Sequence, residues 1–398
     1  MFGDLIKKMY NREKLKKFKP FLFEAKPAIG GPPGPKRFGA KGGERMKKIY
    51  LIVLACLILG GGGGYLAWKS FSGKAKPTSS ASPQTAGSDS KSTSTSEFMW
   101  GVDVNPAAIG NYNLETWNLQ LYYVSALNTN WIRLAFDNDP ANKFTIFDEM
   151  IEAANAKGID VFLGIGSTKP ILDIKDTYKD GNTVGKEIAT HYKGKIKYYQ
   201  LMSEQGSTAL KGSSYSGEKE SDYDKAKYEK VREWMKGASA AIRKVDPNAK
   251  LVITDQWTHT AYLDMLARDK VDYDIIGWDW YSGMGPMGER KLANGTLLVD
   301  KLKSFNKPII LAEVNFTPDP KTGQSQQDQS DFIKTTAEWA YNSGYIKGFY
   351  VFKLVDYKPT QDNPNDCCAL IKFKSVNKFG DKRQAFDTYA EIIKKYSK

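Results

Sequence analysis

Residues 307–316 read KPIILAEVNF. The run from Ile309 to Ala312 is apolar without alternation, so both faces of the segment must be covered. That is the signature of a strand in a parallel sheet packed on both sides. The run nevertheless ends on a carboxylate, Glu313, set between Ala312 and Val314. A carboxylate in such a place needs partners or a task, because burying it alone is costly. One partner is available for a purely structural ion pair: Arg133, in another apolar run.

Seven similar runs precede or follow it: MWGVDV (99–104), WIRLAF (131–136), DVFLGIG (160–166), IKYYQLM (196–202), KLVITD (250–255), YDIIGWDW (273–280) and KGFYVFKLV (347–355). Helical spacing fills the intervals. Val231, Trp234, Met235, Ala238, Ile242 and Val245 recur at that spacing before DPNAK, and Phe332, Thr336, Trp339 and Ala340 do so after Ser330, which is expected to cap its helix. Eight strand–helix units in about 300 residues predict an α/β chain closed into a (β/α)8 TIM barrel. A doubly wound open sheet is the alternative. It would carry a glycine-rich phosphate loop after the first strand, and MWGVDVNPAAIG has none; GIGST at 164–168 lacks the remaining spacing.

In a barrel the reactive groups sit at the C-terminal ends of the strands. This selects Asp103 and Asn105, Arg133 and Asp137, Glu204, Gln256 and Trp257, Asp279 to Tyr281, Glu313, and Lys353 with Asp356. Glu204 stands in YYQLMSEQG (198–206) where the apolar run gives way to a glycine-containing loop, and taken alone would be an ordinary loop acid. A second carboxylate at strand 7 changes its weight. Two histidines, His191 and His259, leave little material for a histidine-based metal site or a Ser-His-Asp triad. Both are expected at the surface. A metal site built from Asp103, Asp137 and Asp279 is not favoured, and no cofactor is expected. The three cysteines form no disulfide framework: Cys56 is in an apolar run, and Cys367 and Cys368 are adjacent.

The formal charge of +13 is unevenly placed. Residues 1–48 carry 14 Lys+Arg against 4 Asp+Glu, whereas 99–398 carry 40 against 39. A nearly neutral large domain argues against nucleic-acid binding. Residues 49–68, IYLIVLACLILGGGGGYLAW, are twenty residues without a charge, enough to cross about 30 Å of hydrocarbon. With the basic flank inside, this predicts a single-pass anchor in the cell membrane, a cytoplasmic N-terminus and an exported domain. Gly60 to Gly64 weaken the helix by about 1 kcal/mol each. A signal peptide starting at Met46, or a lipid anchor at Cys56, are the alternatives. The Ser/Thr/Pro-rich residues 69–97 read as a linker, leaving 98–398 as one domain.

Four stretches carry a resemblance: KGKIKYYQLMSEQG, DYDIIGWDWYSG, KPIILAEVNF and the closing KRQAFDTYAEIIKKY. In their order, one per strand, the domain resembles glycoside hydrolase clan A, retaining barrel glycosidases of the endoglycanase or cellulase kind. The resemblance implies Glu204 as acid/base and Glu313 as nucleophile, with Arg133 orienting that nucleophile and Tyr281 placing a hydroxyl beside it. It implies a carbohydrate substrate, a β-linked oligo- or polysaccharide, for a chain expected to act as a monomer. Trp257, Trp278, Trp280, Tyr281 and Phe316 become candidates for stacking on sugar rings, with Asp103 lining the site and the polar loop 206–221 bordering the cleft. Two positions depart from the clan pattern. Ser203 stands where an Asn normally contacts the sugar 2-hydroxyl, and Phe352 where a strand-8 Trp is usual. These departures keep open a second expectation, a catalytically degenerate barrel serving as a surface carbohydrate-binding module. A third, that the basic tail binds nucleic acid or anionic lipid, rests on composition alone.

Overall fold

Unbranched alternation is absent from the core strands because each is buried on two sides, and the structure shows what covers them. It is a computed structural model that describes residues 97–104, 114–135, 144–316, 325–356, 369–375 and 378–397. Eight strands form a closed parallel barrel in sequence order: β1 (Met99–Val104), β2 (Trp131–Ala135), β3 (Asp160–Ile165), β4 (Tyr198–Leu201), β5 (Lys250–Gln256), β6 (Ile275–Tyr281), β7 (Ile309–Asn315) and β8 (Ile346–Val351). The ring closes where Gly101 of β1 registers with Tyr350 of β8.

The two sides of each strand have different jobs. One set of side chains, Met99, Trp131, Phe162, Val252, Ile275, Ile310, Ala312 and Tyr350, packs into a single small cluster filling the barrel. The alternate set, including Trp100, Val102, Ile132, Leu163, Leu251 and Ile276, packs into the larger core shared with the helices. Those helices are α1 (Leu114–Leu127), α2 (Thr145–Ala156), α3 (Thr177–His191), the short α4 (Gln205–Ala209), α5 (Lys225–Val245), α6 (Thr260–Arg268), α7 (Leu298–Lys303), α8 (Gln326–Asn342) and α9 (Gln384–Tyr396). A two-stranded antiparallel ribbon, β9 (Ile371–Ser375) and β10 (Lys378–Lys382), follows the barrel.

One irregularity matters for function. β6 and β7 slip by one residue between the pairs Trp278–Leu311 and Asp279–Glu313. A bulge of this kind re-aims the side chains beyond it. Ile310 and Ala312 point into the barrel, and after the slip so does Glu313, which strict alternation would have turned outward.

Two expectations are corrected here. The α8 cap is Ser325, not Ser330: Ser325 Oγ accepts the Asp328 N–H at 3.0 Å, and Asp328 Oδ2 accepts the Ser325 N–H at 3.3 Å. Ser330 lies inside the helix and meets Thr388 Oγ1 at 2.6 Å. The expected N-terminal transmembrane segment, and with it the membrane partner, the anchored, exported form and the cell-membrane location, is not supported: among the described residues no helix is long and apolar enough to cross a membrane. The longest, α5 with 21 residues, carries Lys and Arg along its length, as a helix with one face in water does. The tail, the proposed span at 49–68 and the linker lie outside the described residues, as do Asn105, Asp137, Cys367 and Cys368.

Candidate active site

The inward rows of the barrel turn polar at their C-terminal ends, and these ends meet. Arg133 is 6% exposed, and its guanidinium is divided among three strands. Its Nη1 donates to Glu313 Oε1 at 2.7 Å and to Asp103 Oδ2, while Nε donates to Gln200 Oε1 at 2.8 Å. Gln200 passes the network on, donating to Thr254 Oγ1 at 2.8 Å. That hydroxyl in turn lies 3.4 Å from the Glu204 amide nitrogen. A line of hydrogen bonds thus runs from Glu313 through β2, β4 and β5 to the residue carrying the second carboxylate.

Glu313 accepts on both oxygens: the Tyr281 hydroxyl donates to Oε2 at 2.9 Å while Arg133 holds Oε1. Two donors, one of them cationic, fix a carboxylate in one orientation. Glu204 has different surroundings. It lies in left-handed backbone at φ 48°, between β4 and the buried start of α4, and Met202 beside it has φ 63°. Residues other than glycine rarely adopt this conformation, which persists where surrounding contacts enforce it. Here the enforcing contact is Asp255, fully buried at the end of β5. Its Oδ2 accepts the Gly206 N–H at 2.9 Å, its Oδ1 accepts the Gln256 N–H at 2.8 Å, and His259 Nδ1 lies 2.7 Å from Oδ1. Gln256 then donates to Glu204 Oε2 at 3.0 Å. Burial first, then the charges of Glu313 and Asp255, push the Glu204 carboxyl up to about 8. The environment therefore keeps one glutamate protonated near neutrality and clamps the other between donors.

A third carboxyl completes the group. Oxygens of Glu204, Asp279 and Glu313 all lie within 4.8 Å of one another. That spacing would suit a cation, yet Arg133 already supplies the positive charge beside Glu313.

The remaining sequence candidates are distributed around this centre. Asp103 is buried against Arg133, with Oδ1 lacking a hydrogen-bond partner among the described residues. Ser203 is half-buried, directly before Glu204. Phe352 is half-buried after β8, its carbonyl accepting from Asn315 Nδ2. Lys353 is buried, with Nζ 5.6 Å from the Phe352 ring centre. Trp278 and Trp280 are fully buried, so neither offers an open ring face; their indole N–H groups donate to Trp257 O at 3.2 Å and Gly285 O at 2.7 Å. Trp257 is half-buried, stacks on Trp280 with centroids 6.2 Å apart, and has the Arg290 guanidinium 4.3 Å from its ring centre. Phe316 meets Phe332 edge-on. His191 is exposed, as expected, and pairs with Asp148 at 2.7 Å, whereas His259, expected at the surface, is buried against Asp255. Asp356 serves structure, pairing with buried Arg383 at 2.7 Å.

Sequence reasoning missed Gln200, Thr254 and Asp255. Their signal was positional, since polar residues at inward places near strand ends have no ordinary packing role. The loop after β4 is tied to its neighbours. Its Glu218 Oε2 accepts the Ala293 N–H at 2.6 Å, and its Ser216 carbonyl accepts from Thr258 Oγ1 at 2.9 Å. The segments after β4, β5 and β6 are thereby tied into one wall.

Comparison with known proteins agrees with this geometry. The sequence pattern of Glycosyl hydrolase family 53 matches residues 209–345, about a third of the chain. No curated protein matches. Among solved structures, a β-glucosidase from Thermotoga maritima in complex with galacto-hydroximolactam is similar, at 13% identity and a TM-score of 0.56, covering 75% of this chain and 98% of that one. The family 1 β-glucosidase from the same organism gives the same figures. Its complex with isofagomine lactam gives 12%, 0.55, 75% and 97%. At this identity the solved structures speak for the fold. The closed barrel and the partial family match make the chain similar to the (β/α)8 glycoside hydrolases of clan A and support a glycoside-hydrolase activity.

Proposed function

We propose that the chain hydrolyses a β-linked oligo- or polysaccharide with retention at the anomeric carbon, Glu313 being the nucleophile and Glu204 the acid/base. The observation that carries this is the short separation: oxygens of the two glutamates lie within 4.8 Å. Retaining pairs stand about 5–5.5 Å apart, whereas inverting pairs leave roughly 6.5–9.5 Å for a water. The likeness to a β-glucosidase agrees with a β-linkage.

The chemistry follows from the environments. Glu313, held by Arg133 and Tyr281, attacks the anomeric carbon while Glu204 gives its proton to the departing glycosidic oxygen. Forming the glycosyl ester removes the negative charge of Glu313, one of the causes that raise Glu204. Glu204 then holds its proton less tightly and takes one from the water that releases the sugar.

Turnover of a glycan and of an activated aryl glycoside, with the anomer of the first product read by NMR, tests the assignment. Glu313→Gln should abolish turnover of both substrates. Glu204→Gln should lose turnover of the glycan by at least about 100-fold, and the first product should be the β-anomer. An active Glu313→Gln protein, or an α-anomer released first, would reject it. A binding-only barrel, suggested by Ser203, predicts saturable glycan binding and no product from the unsubstituted chain.

A further inference from the structure

Asp279 is a fully buried carboxyl in the middle of this site, and neither of its oxygens has a hydrogen-bond donor among the described residues. It registers with Gln256 on one side and Glu313 on the other. Its ionised form would face two other acidic groups, one of them the Glu313 carboxylate. From β7 it meets Glu313 and from the end of β4 Glu204; Arg133 on β2 is the cation acting on it. That guanidinium is already bonded to Asp103 on β1 and to Glu313. Lys353, after β8, acts on Asp103. Asp255, on the β5 side, is a further negative group beside Glu204. Tyr281, on the same strand, donates to Glu313. Oxygens of Asp279 and Glu204 lie within 4.8 Å of each other, and two carboxyls brought together away from water hold together when one supplies a proton to the other.

We propose that Asp279 is a positioning residue that stays a neutral carboxylic acid and donates a hydrogen bond to Glu204. The inference rests on Glu204 being the acid/base. Glu204 loses its proton to the departing oxygen, and Asp279 keeps its own. The Asp279 hydroxyl then steadies the newly formed Glu204 carboxylate until a proton returns from water. No other proton source is needed. Burial, followed by the charges of Glu313 and Glu204, holds the Asp279 carboxyl well above the usual range, consistent with this state.

Two readouts on the full chain test it. In pH–rate profiles, Asp279→Val, which cannot donate, should cut turnover about tenfold and move the basic limb up by about one pH unit, the effect of removing one hydrogen bond from a carboxylate. Asp279→Asn restores a donor and should recover most of the rate and return the limb toward its original place. If Asp279→Asn instead moves the limb down, a negative charge has been removed, Asp279 is ionised and the proposal fails. Infrared difference spectra at pH 7 read the proton without turnover. The Asn variant should lose a carboxylic-acid band; loss of a carboxylate band overturns the idea. Should the variants not fold, the unsubstituted protein labelled with 13C-aspartate must show a carboxylic-acid band at pH 7, and its absence is equally fatal. A chain that turns over no glycoside would count against the proposed function while leaving the infrared result to decide on Asp279.

Discussion

Glu204 occupies a place that penalises its own charge, and that penalty is measurable as stability. Its folded-state value of about 8 lies above the ordinary 4.5, so the native state holds the proton more tightly than the unfolded chain does. Below pH 4.5 both states are protonated and the contribution is fully present. As pH rises from there toward 8 the unfolded chain ionises freely and the native state does not, so stability is lost through that window. Glu204→Gln removes the ionisation without removing the shape. The variant should match the parent in urea unfolding near pH 4. It should exceed the parent by on the order of 2 kcal/mol at pH 8, a figure reduced from the full linkage value because the side chain keeps some contact with water. A difference that stays flat with pH would mean that Glu204 is not buried as a neutral acid. In the proposed acid/base role, the same proton should place the basic limb of the activity profile near pH 8.

The junction between β4 and α4 explains how that acid is aimed. A Cβ built on Gly206 would sit 1.9 Å from Asp255 Oδ2, so only glycine lets the α4 start close against the carboxylate that orders it. Gly206→Ala should push the turn away from Asp255 and take Glu204 with it. The expected result is a kcat lower by about tenfold or more and a Tm lower by a few degrees, with substrate KM moving less. An unchanged kcat would show that the turn has room to spare. The strands around this junction were legible because two-sided burial writes uniform apolar runs into the sequence, and both glutamates stood out as charges ending such runs. The left-handed residues Met202 and Glu204 were not legible, since neither is glycine: Met202 is held by Ile165 O of β3 and Gln200 Nε2 of β4, and Glu204 by Thr254 and Gln256 of β5. His259 was misjudged for a related reason: a histidine after a strand looks like loop, and only the fold reveals Asp255 pointing at it. Ser330 looked like a cap because it precedes an apolar period; Ser325 takes that role through its reciprocal pairing with Asp328. The β6–β7 slip leaves no mark in either strand's composition, yet it turns Glu313 inward.

A closed barrel must join its first strand to its last, and here the C-terminal helix secures that seam. Tyr389, fully buried on α9, donates its hydroxyl toward two backbone carbonyls on either side of the closure, Gly101 of β1 at 2.8 Å and Phe349 of β8 at 3.0 Å. Arg383, just before α9, adds a buried pair with Asp356 and a bond to the Ala369 carbonyl at 2.7 Å. Asp103 and the segment carrying Phe352 and Lys353 flank the same closure, so the site depends on the last residues of the chain as well as on its glutamates. Tyr389→Phe keeps the ring and its packing but leaves both carbonyls without that donor. Such a loss costs about 1–3 kcal/mol, which for a barrel of this size lowers Tm by roughly 2–6 °C. The hydroxyl touches neither glutamate of the proposed pair, so kcat at 25 °C should hold while thermal inactivation quickens. A variant with unchanged Tm would mean that water or the strand pairing itself satisfies the seam; one with unchanged Tm but reduced kcat would mean that the seam steers Asp103 and Arg133 instead of stabilising the barrel.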